Sequence, residues 1–127
     1  MMRNLLLMTL LVTGLSACAQ KGGSNLAVNQ VSEMLADSQE IVLIDVRTPE
    51  EFQQGHLEGA TLINFYDANF QEELKKLDST KKYVVYCRSG GRSSKSVKAM
   101  KKMGFNDVYN MSGGVLAWQR AELELAK

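Results

Sequence analysis

Chemistry in this chain is concentrated in Cys87-Arg88-Ser89-Gly90-Gly91-Arg92-Ser93. The cysteine closes a β-branched run, Tyr83-Val84-Val85-Tyr86, and the segment after it opens a helical pattern. Gly90 and Gly91 permit the positive-φ conformations that curl successive backbone amides inward as an anion-binding nest. The following helix adds unpaired N–H groups and the positive end of its dipole. Such surroundings favour a thiolate over a thiol, which would make Cys87 a nucleophile. Arg88 and Arg92 supply cationic donors suited to planar or tetrahedral oxyanions. A tight structural turn would account for the glycines and the arginines, but it does not require a cysteine at the strand end.

The elements that must position this loop are legible as alternating runs. Ile41-Val42-Leu43-Ile44-Asp45-Val46 and Tyr83-Val84-Val85-Tyr86-Cys87 are continuous and apolar on both faces, the pattern of parallel strands covered by helices. Leu26-Ala27-Val28, Thr61-Leu62-Ile63-Asn64-Phe65 and Asp107-Val108-Tyr109-Asn110 are weaker strand candidates. Between them, Asn29 is positioned to cap a helix carrying Val31, Met34 and Leu35. Thr48-Pro49-Glu50-Glu51 has the threonine cap, N1 proline and first-turn acids of a helix start. Further helices are predicted over Phe70–Leu77, over Ser93–Met103 with Gly104 as the stop, and over Val115–Leu125. The expectation is an α/β fold: a central, mainly parallel sheet of about five strands with helices on both faces. Loops at the carboxyl ends of such strands are where these folds place ligands, and Cys87 stands at one.

Charge is distributed to serve that loop. Fifteen Lys and Arg against fourteen Asp and Glu leave the 127-residue chain almost neutral. Yet Lys81, Lys82, Arg88, Arg92, Lys95, Lys98, Lys101 and Lys102 lie in one window without an acid. Such a field draws in small anions. The same window lacks the interleaved aromatics of a nucleic-acid surface, so no nucleic-acid partner is expected. With 45% hydrophobic residues and one proline, disordered and collagen-like chains are excluded.

The first residues belong to a different purpose. Met1-Met2-Arg3 precedes the uncharged run Leu5–Val12, which is shorter than the ~20 residues needed to span a bilayer. These are the proportions of a signal peptide. Leu15-Ser16-Ala17-Cys18 resembles the lipobox of bacterial lipoproteins, which implies cleavage after residue 17 and lipidation of Cys18. A membrane-anchoring helix or an ordinary secretion signal is the plainer alternative. The reading is therefore a signal peptide over 1–17, a polar tether over 18–25, and one domain over 26–127, held outside the cytoplasm in the periplasm by a lipid anchor. Cys87 is then the single free thiol of an exported protein.

Three motifs in order resemble rhodanese-like domains. Leu43-Ile44-Asp45-Val46-Arg47-Thr48-Pro49-Glu50-Glu51-Phe52 with Gly55-His56-Leu57-Glu58-Gly59-Ala60 is similar to their N-terminal signature. Val84–Ser93 resembles their active-site loop, and Gly113-Gly114-Val115-Leu116-Ala117-Trp118 their C-terminal signature. Glu58 departs from the proline common at its position. The resemblance implies sulfurtransferase chemistry through a Cys87 persulfide. The donor would be thiosulfate or a related small anion, and the acceptor a thiol or a protein. The amides of Arg88, Ser89, Gly90, Gly91 and Arg92, with Ser93, would hold the sulfur, and Arg88 and Arg92 would orient a sulfonate. Asp45 and Arg47 are read as supports of the loop and His56 as structural. No cofactor and no metal are called for, and a monomer is expected. A sulfur carrier acting only on a docked partner, a thiol redox enzyme and a phosphatase are the alternatives. Against a redox enzyme stands the lack of a second nearby cysteine. Against a phosphatase stands the loop length: Ser93, not arginine, occupies the sixth position after Cys87.

Overall fold

The computed structural model describes residues 23–127. The signal peptide, Cys18 and the tether through residue 22 lie outside the described residues. Five strands form one fully parallel sheet: β1 (Asn25–Leu26), β2 (Ile41–Asp45), β3 (Thr61–Leu62), β4 (Lys82–Tyr86) and β5 (Val108–Met111), in the order β1-β5-β4-β2-β3. Helices α1 (Val28–Asp37), α2 (Pro49–Gln54), α3 (Phe70–Lys75), α4 (Gly91–Lys102) and α5 (Gly114–Arg120) alternate with them.

The period-two geometry of a strand splits the apolar runs between two cores. Tyr83, Val85 and Cys87 face Val97 and Met100 of α4 and Phe70 and Leu74 of α3. Val84 and Tyr86 face the other way, onto Val31 of α1 and Val115 and Trp118 of α5. Val84 and Val85 are both fully buried, each contributing about 1.5–3 kcal/mol relative to an exposed side chain. β4 is thus central in the sheet and buried on both faces, and its carboxyl end is a rigid platform for the residue that follows.

Several boundaries differ from the sequence reading. β1 is Asn25–Leu26, so Asn25, read as the last tether residue, already belongs to the sheet, and Val28 opens α1. Ala27, not Asn29, is the cap of α1. Its backbone N–H donates to Oε1 of Gln30 at 2.9 Å, so the return bond comes from the third helical position and Asn29 falls inside the helix. α5 ends at Arg120 rather than Leu125. There the backbone turns through Glu122 (φ 59°), the Trp118 indole N–H donates to the Glu124 carbonyl at 2.9 Å, and Ala126 pairs antiparallel with His56. Tertiary contacts with Trp118 and His56 outweigh the helical propensity of those last residues.

Candidate functional site

The loop after β4 is built by the glycines and by the two helices that meet it. Gly90 adopts φ 111° as the cap of α4. Gly91 does not take a positive φ; it is the first helical residue, and α4 begins two positions before the predicted Ser93. The early start brings the Ser93 amide into the cradle. From the other side α5 docks its first turn on the loop: the Val115 N–H donates to the Cys87 carbonyl (2.9 Å) and the Leu116 N–H to the Arg88 carbonyl (3.1 Å). Gly114, at φ 57°, permits this approach, since a Cβ there would lie 2.5 Å from the Arg88 carbonyl oxygen.

Cys87 is only 1% exposed. The Gly90 N–H donates to its Sγ at 3.1 Å, and the Ser93 hydroxyl lies 3.3 Å from it. Burial pushes the thiol pKa up. The Ser93 hydroxyl and the backbone amides of Ser93, Gly90 and Ser89 oppose that and prevail, leaving the pKa below the ordinary cysteine value. The arrangement is an oxyanion-hole geometry directed at sulfur: fixed dipoles in a water-poor site, stabilising one negative charge.

The arginines separate in role. Arg88 is exposed at the loop. Arg92 is engaged with α2: its Nη1 and Nη2 donate to the two carboxylate oxygens of Glu51 at 2.8 and 3.0 Å, and its guanidinium lies 5.5 Å from the Tyr66 ring centroid. Two-pronged pairing through the outer nitrogens still leaves other N–H donors of the guanidinium without a carboxylate. Glu51 is also the partner of Thr48 in the capping box of α2, so one carboxylate joins helix start to loop. The Arg92 hydrogen bonds, chiefly, lower the Glu51 pKa to about 2.

That shift gives a testable pH dependence. A carboxylate whose pKa is depressed on folding stabilises the fold above its unfolded pKa, near 4.5, and loses that contribution as pH falls toward 2. Glu51 is partly solvated, so screening reduces the stake to about 1–2 kcal/mol. Glu51→Gln is expected to lower the stability at neutral pH by that amount and to flatten the stability curve between pH 4.5 and 2, measured by urea unfolding at several pH values.

Asp45 and Arg47 do not touch the loop. They form a buried pair (2.7 Å), and Arg47 also donates to the Gly55 carbonyl at 2.7 Å. Burial disfavours the guanidinium charge, but the Asp45 carboxylate more than offsets this and raises the Arg47 pKa. The pair braces the chain at both ends of α2, the helix that carries Glu51, so its support reaches the loop at one remove. The expected direct hydrogen bonds are absent because both side chains turn to the opposite face of β2, beside Tyr86. The described contacts of the His56 side chain are with a near neighbour in the chain: its Nδ1–H donates to the Phe52 carbonyl (3.0 Å), with the rings stacked at 3.7 Å.

Sequence reasoning missed Glu51 as the arginine clasp, Tyr66 beside it, Gly114 as the close-approach glycine, and Asn110. The Asn110 side chain, on β5, contacts the Ser93 hydroxyl. Its one available signal was a carboxamide inside an otherwise apolar strand.

The chain is similar to known proteins in sequence and in fold. The profile of the family described as "Rhodanese-like domain" matches residues 27–121. The chain is 37% identical over 98 residues to "Probable adenylyltransferase/sulfurtransferase MoeZ" of Mycobacterium tuberculosis, covering 77% of this chain but only about a quarter of that longer protein. It is 31% identical over 97 residues to "Thiosulfate sulfurtransferase GlpE" of Shewanella oneidensis, covering 76% of this chain and 93% of that one. A crystal structure of a rhodanese-related protein from Thermoplasma volcanium superposes with a TM-score of 0.72 at 24% identity, over 80% of this chain and 96% of that one. The five-stranded parallel sheet, the cysteine loop at its carboxyl edge and the profile match over most of the chain together make this protein a member of the rhodanese-like domain family.

Proposed function

We propose that the protein is a sulfurtransferase that moves a sulfane sulfur from thiosulfate, or a related small anionic donor, to a thiophilic acceptor through a persulfide on Cys87. The observation that carries this reading is the ring of donors around one sulfur: the amides of Ser89, Gly90 and Ser93 and the Ser93 hydroxyl. In the first displacement the Cys87 thiolate attacks the outer sulfur of thiosulfate. The sulfur–sulfur bond of the donor breaks and its electron pair leaves with sulfite. The charge then rests on the terminal persulfide sulfur, which the same amides continue to stabilise. In the second displacement the acceptor takes that sulfur and the thiolate is restored, with no general base required. Arg88, exposed, and the uncommitted N–H groups of Arg92 orient the sulfonate as the donor arrives. Cys87 is only 1% exposed, and the exposed Arg88–Ser89 segment is the side from which the donor approaches it. The test is intact mass spectrometry: incubation with thiosulfate adds one sulfur atom to the protein, and cyanide then removes it as thiocyanate.

We further propose that the domain is lipid-anchored at Cys18 on the periplasmic side of a membrane. The parallel register sets Asn25 level with Asn110 and Val85, so the chain enters the sheet near the end that carries the Cys87 loop. The tether from Cys18 to Gly23 spans at most about 20 Å when extended. An anchor there holds the domain, and the end of the sheet that carries its loop, close to the bilayer. Cys18→Ala is expected to leave an unlipidated precursor in cell fractionation and by mass; unchanged mass and fractionation would defeat the anchor.

A further inference from the structure

The Ser93 hydroxyl has one proton and three acceptors around it. Cys87 Sγ lies at 3.3 Å, the Gly90 carbonyl at 3.2 Å and Asn110 Oδ1 at 2.5 Å. Cys87, Ser93 and Asn110 are all at most 5% exposed, so water does not make up a missing bond. The Asn110 carboxamide is itself oriented: its Nδ2 donates to Asn25 Oδ1 at 3.0 Å across the β1–β5 pair, which turns Oδ1 toward Ser93. A neutral thiol is a weak acceptor, whereas a thiolate draws a charge-assisted bond. The shortest contact therefore takes the proton while the cysteine is neutral, and the sulfur takes it when charged.

We propose that Asn110 is a positioning residue for Cys87, a resting acceptor that holds the Ser93 hydroxyl proton whenever the sulfur carries no charge and releases it when the thiolate forms. On ionisation the thiol proton goes to solvent, and the Ser93 O–H rotates from Asn110 to Sγ. When a persulfide forms, the charge moves to the terminal sulfur and the hydroxyl returns to Asn110. No bond to Ser93 or Asn110 is made or broken apart from these hydrogen bonds. The role rests on Cys87 being the reacting sulfur, and it couples the loop to β1, the strand by which the chain enters the domain.

The charged groups near the sulfur are common to every variant below. Arg88 lies in the loop, and Arg92 of α4 is paired with Glu51 of α2. Asp45 and Arg47 at β2 pair with each other, and the first turn of α5 has no acid.

The experiment is a double-mutant cycle read by the pH dependence of Cys87 alkylation with iodoacetamide, which needs neither donor nor acceptor. Asn110→Ala removes the competing acceptor, so the alkylation midpoint is expected to fall by about half a pH unit, a ~3-fold faster reaction below it. Ser93→Ala raises the midpoint. In the Ser93→Ala background Asn110→Ala has no further effect. Asn25→Ala, on the exposed edge strand, frees the carboxamide and shifts the midpoint the same way by a smaller amount; it keeps the test available should Asn110→Ala fold poorly. An unchanged midpoint in both Asn110→Ala and Asn25→Ala, or an Asn110 effect that persists without the Ser93 hydroxyl, overturns the proposal. Loss of persulfide formation in the parent protein, with the cycle intact, would instead count against the sulfurtransferase reading alone.

Discussion

Cys87→Ser is expected to reduce thiocyanate formation from thiosulfate and cyanide by at least ~10³-fold and to abolish the added sulfur in the intact mass. The reason is specific to sulfur. A serine hydroxyl in the same ring stays protonated at neutral pH, and the donors that stabilise a thiolate cannot bring an alcohol into the titratable range. The substitution changes one buried atom and leaves the Gly90 and Ser93 amides in place. Fold and stability should therefore be preserved, which circular dichroism and thermal melting check. A Cys87→Ser protein that turned over like the parent would end the covalent mechanism.

The second large effect is on the architecture of the loop. Gly114→Ala places a Cβ 2.5 Å from the Arg88 carbonyl oxygen and against the Cys87 carbonyl, at a φ of 57° that L-residues adopt at a cost. Both obstacles are backbone, so no side chain can swing aside. Relief requires α5 to back away, which breaks the bonds from the Val115 and Leu116 amides to the loop. The expected loss is about 3 kcal/mol, a fall in Tm of more than ~10 °C, with slower persulfide formation in whatever remains folded. Gly91→Ala provides the contrast. Its Cβ meets nothing within 4 Å and its φ is not positive, so stability is expected to hold or rise by up to about 1 kcal/mol. Two glycines of one site thus differ in sign, and thermal melts of the two variants separate close approach from general flexibility.

What could be read from the sequence follows from which interactions are local. The continuous apolar runs ending at Val46 and Cys87 revealed buried parallel strands, because a residue pattern with both faces apolar has few other uses. The start of α2 was legible because Thr48, Pro49 and Glu51 cap it within one turn. Where the decisive partner lies far along the chain, the pattern was silent. Arg92 looked like a free cation until Glu51, 41 residues away, was seen to grip it. Gly114 read only as the residue before a helix that starts at Val115, although its necessity comes from carbonyls at 87 and 88. Asn110 read as a strand residue, although its oxygen reaches Ser93 and its nitrogen reaches Asn25. The end of α5 was overrun for the same reason: Trp118 and His56 capture the last residues by contacts that no local propensity encodes.

These interactions converge on the ionisation of one thiol. Burial alone would push Cys87 above the ordinary value of about 8.5, and only the inward amides of Ser89, Gly90 and Ser93 with the Ser93 hydroxyl bring it down. The direct measurement is titration of the Cys87 thiolate by its ultraviolet absorbance in the folded protein, with Cys87→Ser as the blank. A midpoint below that of an unperturbed cysteine is the expected result; a midpoint at or above it would contradict the account.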